Sequence, residues 1–201
     1  MPVTWIRRLL AGGSLGNGQL TAVAAALLLL LLAIEGATLL RLGSLLTVHA
    51  FVGMLLIPLV ALKLASTGWR MLRYYLGGGE YVRLGPPHAV LRVLVAPAIV
   101  LSTVTLLGTG VALLALGRTR GAVVGLHEAS FAVWLGAAGL HVLAHLPKLP
   151  RLLRARAPGL GLRAAAVAGA VVAGGVLATA TLPSADRLQD RVSASIGVDA
   201  R

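Results

Sequence analysis

Apolar residues in this chain are not scattered but fall into runs of about 20, the length that carries an α-helix across a hydrocarbon core of ~30 Å at ~1.5 Å per residue. The first run covers 20–40, broken by Glu35 and Gly36; the others cover 44–66, 93–116, 122–146 and 164–182. Loops 41–43 and 117–121 are short, which makes helices one and two, and likewise three and four, antiparallel neighbours. The longer segment 67–92 sets Trp69, Tyr74 and Tyr75 beside Arg70 and Arg73, then passes Gly77, Gly78 and Gly79 and the pair Pro86 and Pro87. Aromatic side chains next to arginines are what a membrane–water interface selects. The expectation is an all-α integral membrane bundle of five transmembrane helices. Residues 1–19 form an amino-terminal segment, 147–163 a basic loop, 164–182 the fifth span and 183–201 a tail.

Composition sharpens this picture. Mean hydropathy is +0.91, 58% of residues are hydrophobic and 12% are charged, against about 25% charged in soluble domains. A water-soluble globule is excluded. The chain has no cysteine, which removes disulfides, thiolate metal sites, iron–sulfur clusters and cysteine nucleophiles together. Any metal or redox chemistry must rest on His, Glu, Asp or Met. The first run exceeds the 7–15 residues of a signal-peptide core, so it reads as a retained helix.

The formal charge of +12 follows from topology, because Lys and Arg collect in cytoplasmic loops. Arg7 and Arg8, the arginines of 67–92, and Lys148, Arg151, Arg154, Arg156 and Arg163 fall on one side. The opposite loops hold Arg41, Arg118 and Arg120, and the tail offsets its arginines with Asp186, Asp190 and Asp199. The amino terminus is expected inside and the carboxyl terminus outside. Nucleic acid is not an expected partner; the lipid bilayer is. The Gly77-Gly78-Gly79 run lacks the Lys-Ser/Thr of a phosphate-binding loop and reads as a flexible turn.

Ionisable residues within spans are costly and mark functional sites by default. His49 is the sixth residue of the second span and His127 the sixth of the fourth. Both spans run from outside to inside, so the two imidazoles are expected at one depth, in the outer half of the bilayer, with Glu35 arriving at the same level. His141 follows His127 by 14 residues, which returns to within about 40° of the same face about 21 Å further along. His145 lies one turn beyond. A six-coordinate haem b requires two neutral imidazoles from facing helices, and His49 with His127 suits that requirement. Gly53, one turn after His49, leaves room for a porphyrin to approach the backbone. Arg41, Arg118 and Arg120 stand where propionates need partners, and Glu35 is placed to accept a hydrogen bond from a non-ligating histidine nitrogen.

The pattern His49-x3-Gly53 on one span, with His127-x13-His141 on another, resembles the bacterial membrane cytochromes b, including the cytochrome b subunits of hydrogenases and formate dehydrogenases. The resemblance covers residues 20–146. It implies a four-helix haem-binding core with the fifth span as an addition, a place in the bacterial cytoplasmic membrane, and single-electron transfer between quinone and an extracytoplasmic redox partner. The chain then acts as a carrier or as the membrane anchor subunit of an oxidoreductase. It departs from the di-haem pattern at Lys63, which stands where a second histidine would follow His49. An inner haem therefore has His141, His145, His88 and Lys63 as its candidate ligands.

Other readings of the same residues stay open. His49 and His127 also suit a helix-to-helix hydrogen bond, which in a membrane contributes only ~0.6–2 kcal/mol. Glu35 with both histidines suits a mixed nitrogen/oxygen metal site of the non-haem iron or zinc kind. A haem-free structural subunit, or a proton-coupled transporter using Glu35 and the intramembrane histidines, is the alternative function. Met54, Phe131 and Trp134 read as packing residues. Ala170, Gly174 and Ala178, spaced by four, form a small-xxx-small seam for close helix packing.

Overall fold

The computed structural model describes residues 12–85 and 89–199; Arg7, Arg8 and His88 lie outside them. Helix α1 spans Gly13–Leu39 and α2 spans Leu42–Tyr75, followed by the short α3 at Gly79–Arg83. A π-helical turn at Leu91–Val95 leads into α4 (Ala96–Leu116), and α5 covers Ala122–His145. A 3-10 turn at Leu146–Lys148 and the short α6 (Leu149–Leu153) precede α7, which runs from Leu160 to Asp199. No strand occurs among the described residues. Five of these segments are long and apolar enough to cross a membrane: Gly13–Leu39, Leu42–Tyr75, Leu91–Leu116, Ala122–Leu153 and Leu160–Ala194.

Helices α1, α2 and α7 outrun the apolar stretches that announce them, whereas α4 and α5 stay within theirs. Proline marks one of the departures from regular geometry: Pro97 has no N–H to give the carbonyl one turn back, and the wider π turn lies just ahead of it. The tail beyond residue 182, which carried no helical expectation, continues α7 through Pro183. Its polar side chains find partners on both outer turns, and those bonds favour an ordered helix over a solvated coil.

Helices α1 and α2 form one antiparallel hairpin, α4 and α5 a second. The fifth span, expected as an addition to a four-helix core, lies along α2 in the most extensive helix–helix interface of the molecule. Leu28 of α1 and Val52, Leu56 and Leu59 of α2 make the buried core, with Leu27, Leu31, Phe51, Val60 and Ala170 packed around it. The small-residue seam of α7 is what lets it approach α2. A Cβ at Gly174 would stand 2.5 Å from the Leu55 carbonyl oxygen, and Ala178 is fully buried. Helix α5 packs on α4 and has no comparable interface with α1, α2 or α7. The two hairpins therefore meet mainly through α4, and the inward face of α5 is left uncovered by α2.

Polar residues close the basic end of the bundle. Asn17 and Thr21 of α1 join Ser66 of α2 in a shared hydrogen-bond group, with Thr21 Oγ1 and Ser66 Oγ 2.7 Å apart. The buried Arg163 donates to Gln19 Oε1 at 3.0 Å and to the carbonyls of Ala157 and Pro158. Gln19 in turn donates to the Ala155 carbonyl at 2.7 Å. The start of α7 and the loop before it are thereby tied to α1.

Gly174→Ala is expected to destabilise the protein by about 1–3 kcal/mol, because the added methyl meets backbone that cannot step aside. Gly175→Ala, whose Cβ would meet open space, is expected to be neutral by comparison. Thermal unfolding of both variants in one detergent measures the difference.

Candidate functional site

The site is built from two helical hairpins that treat their histidines alike. In the first, Thr38 near the end of α1 reaches His49 on α2. Its Oγ1 lies 2.6 Å from the Glu35 carbonyl oxygen, to which it donates, and 2.9 Å from His49 Nδ1. In the second, Thr109 of α4 donates to the carbonyls of Thr105 at 2.7 Å and Leu106 at 3.0 Å, and its Oγ1 lies 3.0 Å from His127 Nδ1 on α5.

A threonine hydroxyl has one proton and two acceptor lone pairs. In both hairpins that proton goes back to a carbonyl of the threonine's own helix, so the histidine must supply the proton of the second bond. Each imidazole is thus held as its Nδ1–H tautomer, with the lone pair on Nε2. Neutral imidazole oriented through the other ring nitrogen is the form that binds a metal, and the partner of that nitrogen sets both ring angle and basicity.

Glu35 adds a carboxyl group to the first hairpin. Its Oε1 lies 3.2 Å from His49 Nδ1, with both side chains largely buried, while Oε2 is buried with no hydrogen-bond partner. Gly53 stands on this side of α2: a Cβ there would lie 3.4 Å from Glu35 Oε1. The Glu35 carboxyl therefore lies beside the backbone of Gly53, at a distance a Cβ would meet as ordinary contact. Gly110 plays the matching part on α4, where a Cβ would stand 3.3 Å from His127 Cε1.

His49 and His127 belong to helices of different hairpins that have no extensive interface with each other. Two such lone pairs, one from each hairpin, are the donor set a six-coordinate haem needs. Arg41, at the N-cap of α2, and Arg118 and Arg120, in the α4–α5 loop, are exposed at the same end of the bundle. Phe131 and Trp134 stack on each other with centroids 6.4 Å apart, and Met54 is buried, which agrees with packing roles.

A mixed metal site does not assemble. No group of three or more His, Cys, Asp and Glu side chains is placed to hold a metal ion among the described residues. Glu35 approaches His49 from the Nδ1 side, so it cannot share a metal with Nε2. This removes the support for a non-haem iron or zinc centre; a bis-imidazole haem draws only two protein ligands.

Deeper along the same helices, His141 and His145 stack with centroids 4.4 Å apart and ring planes at 21°. His145 Nδ1 is 2.9 Å from the His141 carbonyl oxygen. Lys63 stands on α2, in the other hairpin.

Thr38 and Thr109 are the functional residues that sequence reasoning missed. Their signal was available: each lies in the outer half of the first helix of a hairpin whose second helix carries a histidine within its first eight residues. Threonine is common enough in apolar helices that nothing set these two apart before the hairpins were folded.

The outer end of the site is pinned by α7. Leu45 departs from helical geometry at φ −115° and ψ 17°, and the Gln189 amide inserts into the opened ladder. Its Oε1 accepts from the N–H groups of Leu46 at 2.7 Å and Thr47 at 3.3 Å, while its Nε2 donates to the Gly43 carbonyl. Thr47 Oγ1 donates to Asp186 at 3.0 Å, and Arg191 donates to the Gly117 carbonyl at 2.6 Å. One helix therefore ties together the turns that precede His49 and His127. Compared with family models, curated proteins and solved structures, the chain matches none.

Gln189→Ala strands the Leu46 and Thr47 donors and the Gly43 acceptor at once, and is expected to cost about 1–3 kcal/mol. Chemical unfolding in detergent, followed by helical circular dichroism, measures the loss.

Proposed function

We propose that this protein is a membrane b-type cytochrome that passes single electrons, holding one haem b between His49 and His127. The observation that carries the reading is the matched pair of threonine contacts, which leaves both histidines with a lone pair on Nε2. A purely structural pair of histidines needs no such duplication.

In this reading, His49 and His127 supply the two axial nitrogens. Thr38 and Thr109 hold the ring planes and keep the protons on Nδ1. Glu35, beside His49 Nδ1, raises the electron-donating power of that ring through its carboxyl oxygen. Arg41, with Arg118 and Arg120, offers guanidinium partners for the propionate carboxylates at the outer boundary. The leucine- and valine-rich walls of α2 and α5 keep water from the pair. Bound haem supplies a reversible one-electron couple, which suits exchange between quinone in the bilayer and a redox partner at the outer face. The distribution of basic residues supports an amino terminus inside and a carboxyl terminus outside, in a bacterial cytoplasmic membrane. Lys63 and His141 stand outside this site.

Protein purified after haem-replete expression is expected to give a reduced-minus-oxidised haem b spectrum with one haem per chain. His49→Ala and His127→Ala should each abolish it, whereas Lys63→Ala and His141→Ala should leave it. A colourless, folded protein would overturn the cytochrome reading in favour of a haem-free structural subunit or a proton-coupled transporter. Thr38→Val and Thr109→Val keep the ligands but free the rings, so haem affinity should fall by about tenfold, the lower end of what the loss of such a partner costs. Apoprotein titrated with haem measures it.

A further inference from the structure

At the end of the bundle remote from His49 and His127, a cavity of about 380 Å³ opens between the start of α1, the last turns of α2 and α3. Gly13, Trp69, Arg73, Gly78, Gly79, Glu80 and Tyr81 line it. Its size falls within the range of small-molecule sites. It lies where α2 passes from its apolar stretch into the aromatic band of Trp69, Tyr74 and Tyr75, the depth at which lipid headgroups sit.

Two opposite charges share this cavity without pairing. Arg73 and Glu80 both line it, yet they form no ion pair with each other. The Arg73 guanidinium lies 5.9 Å from the centre of the Trp69 ring. Glu80 Oε2 accepts the Ser14 N–H at 3.0 Å, and the Glu80 side chain is exposed. Gly78 lets the chain turn closely against the end of α2: its N–H donates to the Arg73 carbonyl at 2.8 Å, and a Cβ there would stand 2.9 Å from that oxygen.

We propose that this notch binds the zwitterionic headgroup of a phosphoethanolamine lipid, with its phosphodiester on Arg73 and its primary ammonium on Glu80. A ligand carrying one negative and one positive group joins two protein charges that do not reach each other. Guanidinium is the cation best shaped for phosphate oxygens. A carboxylate oxygen accepts hydrogen bonds, which a primary ammonium donates and a trimethylammonium does not, so choline lipids lose this bond. An anionic glycerol headgroup brings no cation to Glu80, only neutral hydroxyls, which make weaker hydrogen bonds to a carboxylate than an ammonium does. This inference is independent of the haem reading.

The test uses the full chain, delipidated in detergent and titrated with short-chain phosphatidylethanolamine, phosphatidylcholine and phosphatidylglycerol, with bound lipid counted by native mass spectrometry. The ethanolamine lipid is expected to bind about tenfold more tightly than the other two, the difference one charge-assisted hydrogen bond makes. Glu80→Gln keeps an acceptor for the Ser14 N–H and should reduce the ethanolamine lipid to the level of the choline lipid. Arg73→Gln should weaken all three, while Arg70→Gln, outside the cavity, should change nothing; circular dichroism confirms that each variant is folded. Equal binding of ethanolamine and choline lipids, or an unchanged preference in Glu80→Gln, would overturn the proposal. Competition by water-soluble phosphoethanolamine at the same concentration as the lipid would overturn the assignment to a membrane lipid.

Discussion

In hydrocarbon a polar group has no water to fall back on, and this structure is organised by where its few polar side chains find partners. Each threonine near the histidines returns its hydroxyl proton to its own helix, a bond that an isolated helix already allows. That leaves the hydroxyl oxygen as an acceptor facing a neighbour. A histidine brought alongside can satisfy it only by donating, so the backbone of one helix sets the tautomer of a ring on the next. The same demand draws Gln189 into the opened turn at Leu45 and buries Arg163 among carbonyls at the opposite end.

Packing follows from the complementary constraint that apolar faces gain little by choosing one another over lipid tails. Close backbone approach then decides which helices pair. Gly174 against the Leu55 carbonyl, flanked by Ala170 and Ala178, gives α7 its place along α2. Helix α5 has no such seam toward α2, and it stays on α4. A pair of hairpins joined mainly through one helix, each carrying a histidine held by a threonine, is the outcome.

Long α7 links these two themes. Its membrane part packs on α2 through small residues, and its outer turns bind the α1–α2 turn and the α4–α5 loop through Gln189, Asp186 and Arg191. Both histidines lie just beyond those connections. Their separation is therefore governed by a single rigid element as well as by the hairpins that carry them.

Much of the architecture was legible in the residues themselves. Five apolar runs, short loops at 41–43 and 117–121, and the small-residue seam of α7 are local features, and local features fix helices and tight antiparallel turns. The place of His49 and His127 along their own spans was legible too, since position along a helix is a count of residues. What tertiary structure alone decided was rotation and partnership: that Glu35 comes to lie beside His49 and Gly53, that Thr38 and Thr109 reach the rings, and that the tail becomes a helix. Counting along a chain yields height in the membrane, whereas the angle at which each helix turns toward its neighbours depends on side chains distant in sequence.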